Sequence, residues 1–273
     1  MTDRYAVIGN PVAHSKSPQI HAVFAELTLQ DMTYEAILAP PDGFTQAVRN
    51  FMAAGGRGVN VTVPFKLDAY ALAATRSPRA EAAKAVNTLI FSPTGIHGDN
   101  TDGVGLVADL TRNLGLDLAG RRILLLGAGG AARGVLLPLL ETKPAVLTLA
   151  NRTAEKARAL KAAFEPLADG CAIEGGGFAE LAGRQFDVVI NATSASLSDE
   201  APLLPAGLYA ADSLAYDMMY GKTTAFLVAA RAQGAARLAD GLGMLVEQAA
   251  ESFFLWRGVR PDTVPVLELL RKS

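Results

Sequence analysis

Short apolar runs alternate with amphipathic stretches along nearly the whole chain. The first run, residues 5–9, breaks into GNPVAHSKSPQIH (residues 9–21), a polar stretch dense in hydroxyls in which Pro18 opens a helix. One reading is a loop that binds something small and oxygen-rich. Another is a strand-to-helix turn with Ser17 as N-cap and Pro18 at the first helical position, and the two are compatible. Residues 33–38 read as a strand, Pro40-Pro41-Asp42-Gly43 as a turn, and residues 44–54 as a helix stopped by Gly55-Gly56. Residues 59–63 form a strand ended by Pro64, and residues 86–91 and 95–98 a hairpin across Ser92-Pro93-Thr94-Gly95. Strands separated by helices predict an α/β layer with a largely parallel sheet, which the hairpin makes mixed.

The pattern restarts near Asp102. Thr101 or Asp102 caps a predicted helix to Leu114, and residues 123–126 are a wholly apolar strand followed by Gly127-Ala128-Gly129-Gly130 and a helix. Residues 146–150, 187–190 and 213–216 are further strands, and residues 245–255 a helix that fits either half. Pro138 is expected to kink the helix Gly130–Glu141. Phe253-Phe254-Leu255-Trp256 reads as core of a packed helix rather than a cofactor platform.

Composition narrows the class. Of 273 residues, 50% are hydrophobic and 19% charged, the balance of a soluble globular protein. A net charge of −2 gives no case for nucleic acid or a membrane surface as partner. Cys171 is the only cysteine, which excludes an intrachain disulfide and a cysteine-based zinc site and points to the cytoplasm. His14, His21 and His97 lack metal-ligand spacing and read as polar loop or helix-surface residues, so no metal is expected. No apolar run reaches the ~18 residues a bilayer span needs, and Met-Thr-Asp-Arg-Tyr begins no signal peptide.

The glycine loop carries the first specific chemistry. Gly127-x-Gly129-x-x-Ala132 follows a buried strand and opens a helix, the context in which backbone turns tightly and approaches a pyrophosphate. Gly127, Ala128, Gly129, Gly130 and Ala131 are therefore candidate cofactor contacts. An NAD site usually ends the next strand in Asp or Glu, whereas this chain has Asn151-Arg152-Thr153 with Lys156 one turn on. Arg152 can pair with a 2′-phosphate and Thr153 can donate a hydroxyl, so the expected cofactor is NADP(H). The alternative is a helix capped by Thr153 beside a solvated Arg152.

Polar residues gather at the other strand ends. Asn60, Thr62 and Lys66 in NVTVPFK, Asn87 in VNT, and Asp102 in GDNTDG suit a polyhydroxylated small acid. Hydride delivered to a carbonyl leaves charge on oxygen, so a proton donor is required: Lys66 is the candidate donor and Asp102 its orienter. A solvated lysine and a capping Asp102 would explain the same residues taken singly.

GNPVAHSKSPQIH, NVTVPFK, AVNT, GDNTDGVGL, GAGGAARGV, NRT, NATSAS and ADGLGMLVEQAA together resemble shikimate dehydrogenase, in family order from Gly9 to Ala250. The resemblance implies two lobes. Residues 1–102 plus 240–273 would form a mixed α/β substrate-binding catalytic domain, and residues 103–239 a Rossmann-type, doubly wound NADP domain. It implies reversible reduction of 3-dehydroshikimate to shikimate with NADPH, in chorismate and aromatic amino-acid biosynthesis. By motif position, Ser15 and Ser17 would hold the substrate carboxylate, and Thr62, Asn87, Asp102 and Gln248 the ring hydroxyls and carbonyl. Lys66 would be the catalytic lysine, with proton transfer and positioning both open for Asp102. Asn151, Arg152, Thr153 and Lys156 fall where the family reads the 2′-phosphate, and Thr193, Met218 and Gly241 where the nicotinamide half lies. The lobes are expected to close on both ligands in a monomer or homodimer.

Two stretches depart from the family pattern. Residues 216–227 are short and lack the proline usual before Phe226-Leu227, and Lys156 stands where a second arginine is common. Two rivals remain. A quinate/shikimate dehydrogenase sharing NAD would want an acid after the second strand of the NADP half. A non-catalytic NADP sensor on the same fold would predict loss of Lys66 or Asp102.

Overall fold

A computed structural model describes residues 2–193, 195 and 200–272. The chain forms two compact units, Met1–Gly105 with Leu245–Ser273, and Leu106–Met244. The first contains β1 (Asp3–Gly9), α1 (Ser17–Leu27), β2 (Met32–Leu38), α2 (Phe44–Ala53), β3 (Gly56–Val61), α3 (Lys66–Leu72), β4 (Thr75–Arg76), α4 (Pro78–Ala83), β5 (Thr88–Ser92) and β6 (Gly95–Asp99). It begins α5 (Asp102–Ala108) and, after the second unit, takes most of α9 (Leu242–Arg257) and all of α10 (Val264–Lys272).

Its six-stranded sheet runs β2-β1-β3-β5-β6-β4. β1 pairs in parallel with β2 and β3, while β5 is antiparallel to β3 and to β6. The β5–β6 hairpin thus makes the sheet mixed. Alternation along the strands covers both faces. Ile8, Val59 and Leu89 pack with Phe44, Val48 and Phe65 of one core cluster, in which the Phe44 and Phe65 rings stack at 5.1 Å. On the other face Tyr5 stacks on Trp256 of α9. His21, Phe24, Tyr34 and Phe253 complete that aromatic layer. Complete burial of side chains such as Phe24, Phe65 and Phe253 stabilises the fold by about 2–3 kcal/mol each.

The second unit holds β7 (Arg122–Leu126), α6 (Gly130–Glu141), β8 (Val146–Asn151), α7 (Ala154–Phe164), β9 (Ala172–Gly177), β10 (Phe186–Asn191), β11 (Tyr209–Asp217), α8 (Ala225–Ala232) and β12 (Arg237–Ala239). All its strand pairs are parallel, in the order β12-β11-β10-β7-β8-β9. Counted from β7, that is the 3-2-1-4-5-6 order of a doubly wound dinucleotide-binding sheet, with its switch point between β7 and β10.

Several local expectations are corrected. Ser17 is the first helical residue rather than the N-cap, and Lys16 precedes it without a side-chain cap. β3 stops at Val61, and β5 begins only at Thr88. The predicted helix to Leu114 becomes α5 followed by a π-helical turn, Asp109–Asn113. Asp109 there is buried and accepts from Tyr216 Oη at 2.7 Å. α6 continues through Pro138 to Glu141. β4, β9 and β12 go beyond the predicted strands: β4 and β12 are short edges, and β9 (AIEGGG) has three glycines where side chains would signal a strand. His21 is completely buried, not on a helix surface, whereas Phe254 keeps 39% of its surface exposed. Among the described residues no close hydrogen bond to either ring nitrogen of His21 is found, and burial pushes its pKa down to about 3 against a smaller opposing pull from the Asn60 side chain.

Candidate active site

Strand direction gathers the first unit's polar residues. β1, β3 and β6 point the same way, so the segments after them lie at one end of the sheet; β5 runs oppositely and contributes the residue before it. That end therefore carries Ser15 and Ser17 after β1, Thr62 and Lys66 after β3, Asn87 before β5, and Asp102 after β6. Backbone bonds lock the register. Val61 N donates to Asn87 O at 2.7 Å, Val86 N to Lys66 O at 3.0 Å, and Asn87 N to Asp99 O at 3.0 Å.

At the centre, Lys66 Nζ donates to Asp102 Oδ2 at 2.5 Å. Their side chains keep 31% and 16% of their surface, enough for a small molecule to reach the ammonium. Asn87 Nδ2 donates to the other carboxylate oxygen, Asp102 Oδ1, at 2.8 Å, and to Thr101 Oγ1 at 3.0 Å. Gln248 Oε1 lies 3.4 Å from the same amide nitrogen. Gly105 makes this approach possible: a Cβ there would sit 2.6 Å from Gln248 N, so only glycine lets α5 press against α9 at that level.

The loop carrying Asp102 is held from below. Asp102 N donates to Asn100 Oδ1, and Asn100 N to Asp99 Oδ1. The buried Asp99 is clamped by both arms of Arg79, at 2.7 and 2.8 Å. Such a bidentate pair fixes orientation as well as charge.

Lys66, Asp102, Asn87 and Gln248 thus form one connected group. Ser15, Ser17 and Thr62 sit at the same sheet end, and no hydrogen bond to that group is found among the described residues. Ser17 is buried, and its N–H donates to Ser15 Oγ at 3.3 Å. Sequence reasoning passes over Thr88, Asn100 and Ser252. Ser252 offered a signal, since it stands four residues after Gln248 and so on the same face of α9.

In the second unit the loop after β7 has the conformation its glycines suggest. Gly127 has φ +112°, and a Cβ on it would lie 3.0 Å from Ala192 O. At Gly129 and Gly130 a Cβ would meet nothing within 4 Å among the described residues, so their packing does not demand glycine there. Ala128 is half-buried, and Ala131 is exposed in the first turn of α6. Helix geometry leaves the N–H groups of Gly130, Ala131 and Ala132 without helical carbonyls, donors that suit a pyrophosphate.

After β8, Asn151 Nδ2 donates to Thr153 O at 3.0 Å and stiffens the turn. Arg152, Thr153 and Lys156 are exposed, and among the described residues neither cation is paired with a carboxylate. Thr153 precedes α7 but its side chain makes no capping bond. Open donors and cations in place of an acid fit a 2′-phosphate. Beyond the switch point, Thr193 Oγ1 donates to Asn191 Oδ1 at 2.7 Å, and Asn191 Nδ2 to the buried Asp217 Oδ2 at 3.3 Å. Met218 N donates to Asn191 O, and Gly241 N to Met219 O. Thr193, Met218 and Gly241 are thereby tied to the ends of β10 and β11. Ser194 and Ser196 of NATSAS lie outside the described residues.

Three family models match in chain order: the shikimate dehydrogenase substrate binding domain over residues 7–89, shikimate / quinate 5-dehydrogenase over 109–199, and the shikimate 5'-dehydrogenase C-terminal domain over 241–271. A shikimate dehydrogenase (NADP(+)) of Aromatoleum aromaticum is 66% identical over 99% of this chain and 98% of its own. The chain belongs to the shikimate dehydrogenase family. Solved structures agree. An Ael1 enzyme from Pseudomonas putida is 51% identical with a TM-score of 0.92, covering 98% of each chain. Shikimate 5-dehydrogenase from Thermus thermophilus, in complex with NADP(H) and shikimate, is 34% identical with a TM-score of 0.85 over 99% of each chain.

The stretch 216–227 has a visible anchor. Asp217 accepts from Met219 N at 3.0 Å and from Thr224 Oγ1 at 2.5 Å, while Thr224 caps α8. The segment is thus pinned at both ends. Among the described residues no helix is long and apolar enough to cross a membrane.

Proposed function

We propose that this chain interconverts 3-dehydroshikimate and shikimate with NADP(H), as its family does in chorismate and aromatic amino-acid biosynthesis. The observation that carries the reading is the Lys66–Asp102 contact at 2.5 Å, braced by Asn87 on the second carboxylate oxygen. Ser15 and Ser17 hold the substrate carboxylate through hydroxyl donors, which bind an anion without demanding a guanidinium. Thr62, Asn87, Asp102 and Gln248 orient the ring hydroxyls and carbonyl.

Bound NADPH supplies the hydride that the ketone carbon accepts. Lys66 Nζ donates a proton to the oxygen on which charge develops, and solvent restores that proton afterwards. Asp102 holds the ammonium at the height of the reacting oxygen; in the reverse direction the same amine takes the hydroxyl proton. In the second unit the loop from Gly127 to Ala131 holds the pyrophosphate. Asn151, Arg152, Thr153 and Lys156 read the 2′-phosphate, and Thr193, Met218 and Gly241 line the nicotinamide end. The enzyme works in the cytoplasm as a monomer or homodimer.

Shared use of NAD is disfavoured by Asn151 at the end of β8, where an acid would stand, and a sensor would have no use for the Lys66–Asp102 pair. The test follows NADPH absorbance with purified protein and four mixtures, shikimate or quinate with NADP+ or NAD+. Turnover confined to shikimate with NADP+ is the expected result. Comparable rates with quinate or NAD+ move the chain to the broader branch, and silence in all four overturns the reading.

A further inference from the structure

A chain of hydrogen bonds, buried at its middle and part-buried at its ends, runs behind Asp102, and all of its donors point toward that carboxylate. Tyr34 Oη donates to Asn60 Oδ1 at 2.7 Å. Asn60 Nδ2 donates to Thr88 Oγ1 at 3.1 Å, Thr88 Oγ1 to Asn87 Oδ1 at 2.9 Å, and Asn87 Nδ2 to Asp102 Oδ1 at 2.8 Å. Thr88 is completely buried, and Asn60 and Asn87 nearly so.

The Thr88 hydroxyl has two acceptors in reach, Asn87 Oδ1 and Ser252 Oγ at 2.8 Å. Ser252 Oγ already accepts from Asn60 Nδ2 at 2.9 Å, and its own proton meets the Gln248 carbonyl at 3.1 Å. Ser252 Oγ keeps a second lone pair, so either acceptor satisfies the Thr88 proton; donation to Asn87 Oδ1 is the arrangement that reaches Asp102. The orientation of Asn87 is constrained. Thr101 N, which can only donate, faces Asn87 Oδ1 at 2.9 Å. A reversed amide would set oxygen against the Asp102 carboxylate and nitrogen against the Thr101 N–H. A threonine merely filling a β-strand would not need its hydroxyl, since valine has the same shape.

We propose that Thr88 is a positioning residue for the reaction: its hydroxyl holds the Asn87 amide with Nδ2 on Asp102, and so holds the Asp102 carboxylate against Lys66. Aligned donors polarise one another, and the last of them meets a carboxylate oxygen, so the bond on Asp102 is strengthened from both sides. This role rests on the function proposed above and assigns Asn87 a structural task besides any contact with substrate.

The test measures kcat, KM for shikimate and the solvent deuterium isotope effect on kcat for wild type, T88V, T88S and S252A, with Tm as a folding control. T88V lowers kcat about tenfold, the worth of one buried hydrogen bond. It keeps KM within about twofold and enlarges the isotope effect, because proton delivery becomes slower. T88S restores kcat to within about twofold of wild type. S252A removes an acceptor of Asn60 Nδ2 as well as the rival acceptor of Thr88, and lowers kcat less than T88V does. If T88V fails to fold, the smaller T88A is read by the same criteria. Wild-type kcat in T88V, equal losses in T88V and S252A, or failure of T88S to rescue would each overturn the role of Thr88 alone. An inactive wild type overturns the function and this role together.

Discussion

The two units treat their functional side chains in opposite ways. In the first, Lys66, Asp102, Asn87 and Gln248 are linked to one another and backed by buried Thr88, Thr101, Asn60 and Ser252. In the second, Arg152, Thr153 and Lys156 stand exposed on a turn held by Asn151 Nδ2 and Lys156 N, both donating to Thr153 O. On the proposed function, the contrast follows from what each has to do. Proton delivery needs a donor held within a fraction of an ångström of its target, and buried hydrogen bonds supply that rigidity. A dianionic phosphate is recognised by charge at the surface, and long flexible cations serve without being locked beforehand.

The sharpest way to break the comparison is to remove the donor itself. Lys66→Ala should lower kcat by about three orders of magnitude with little change in KM for shikimate. A variant retaining near-normal turnover in the steady-state assay would show that the rigid unit does not carry the chemistry.

Close packing beneath that site is tested next. Gly105→Ala places a methyl 2.6 Å from Gln248 N, where no side-chain rotation relieves the contact. It should cost about 1–3 kcal/mol of stability in denaturant unfolding and raise KM for shikimate. Unchanged stability would mean that α5 and α9 approach less tightly than the glycine implies.

Burial also makes the first unit sensitive to acid. His21 is neutral in the folded protein, with its pKa lowered from 6.5 to about 3 by burial. The unfolded chain binds the proton first, so stability is full above the unfolded pKa of 6.5 and falls as pH drops toward 3. About two pH units below the unfolded value the loss is about 3 kcal/mol. His21→Phe should flatten that slope in a series of denaturant melts against pH, and parallel slopes would remove His21 as its source.

The exposed site should respond most mildly and most selectively. Arg152→Ala is expected to raise KM for NADP+ about tenfold while leaving KM for NAD+ and shikimate unchanged. Equal effects on the two cofactors would place Arg152 away from the 2′-phosphate.

How much of this was legible depended on how local each signal is. The strand–glycine–helix sequence around Gly127 and the absence of an acid at Asn151 are local patterns, and the parallel sheet and open turn have the form those patterns imply. The polar ends NVTVPFK, VNT and GDNTDG were also visible, because each interrupts an apolar run. His21 was misplaced because its helix turn looks polar in sequence. Only the packing of α1 against Tyr34, Phe253 and Trp256 makes that position an interior one.

Sequence by itself determined the alternation of strands and helices, the glycine loop, the cationic turn and the inventory of groups for a hydroxylated acid. Each of these depends on neighbours a few residues apart, through backbone conformation and side-chain period. Tertiary structure alone decided that Lys66 meets Asp102, that Asn87 turns its nitrogen toward that carboxylate, and that Thr88 and Ser252 stand behind it. Lys66 and Asn87 lie 36 and 15 positions from Asp102, and Ser252 lies 164 from Thr88; the Thr88–Asn87 bond alone among these is between neighbours. The distant contacts exist because an antiparallel β5 brings the start of one strand to the ends of three others, and because a glycine at 105 lets α9 close over them.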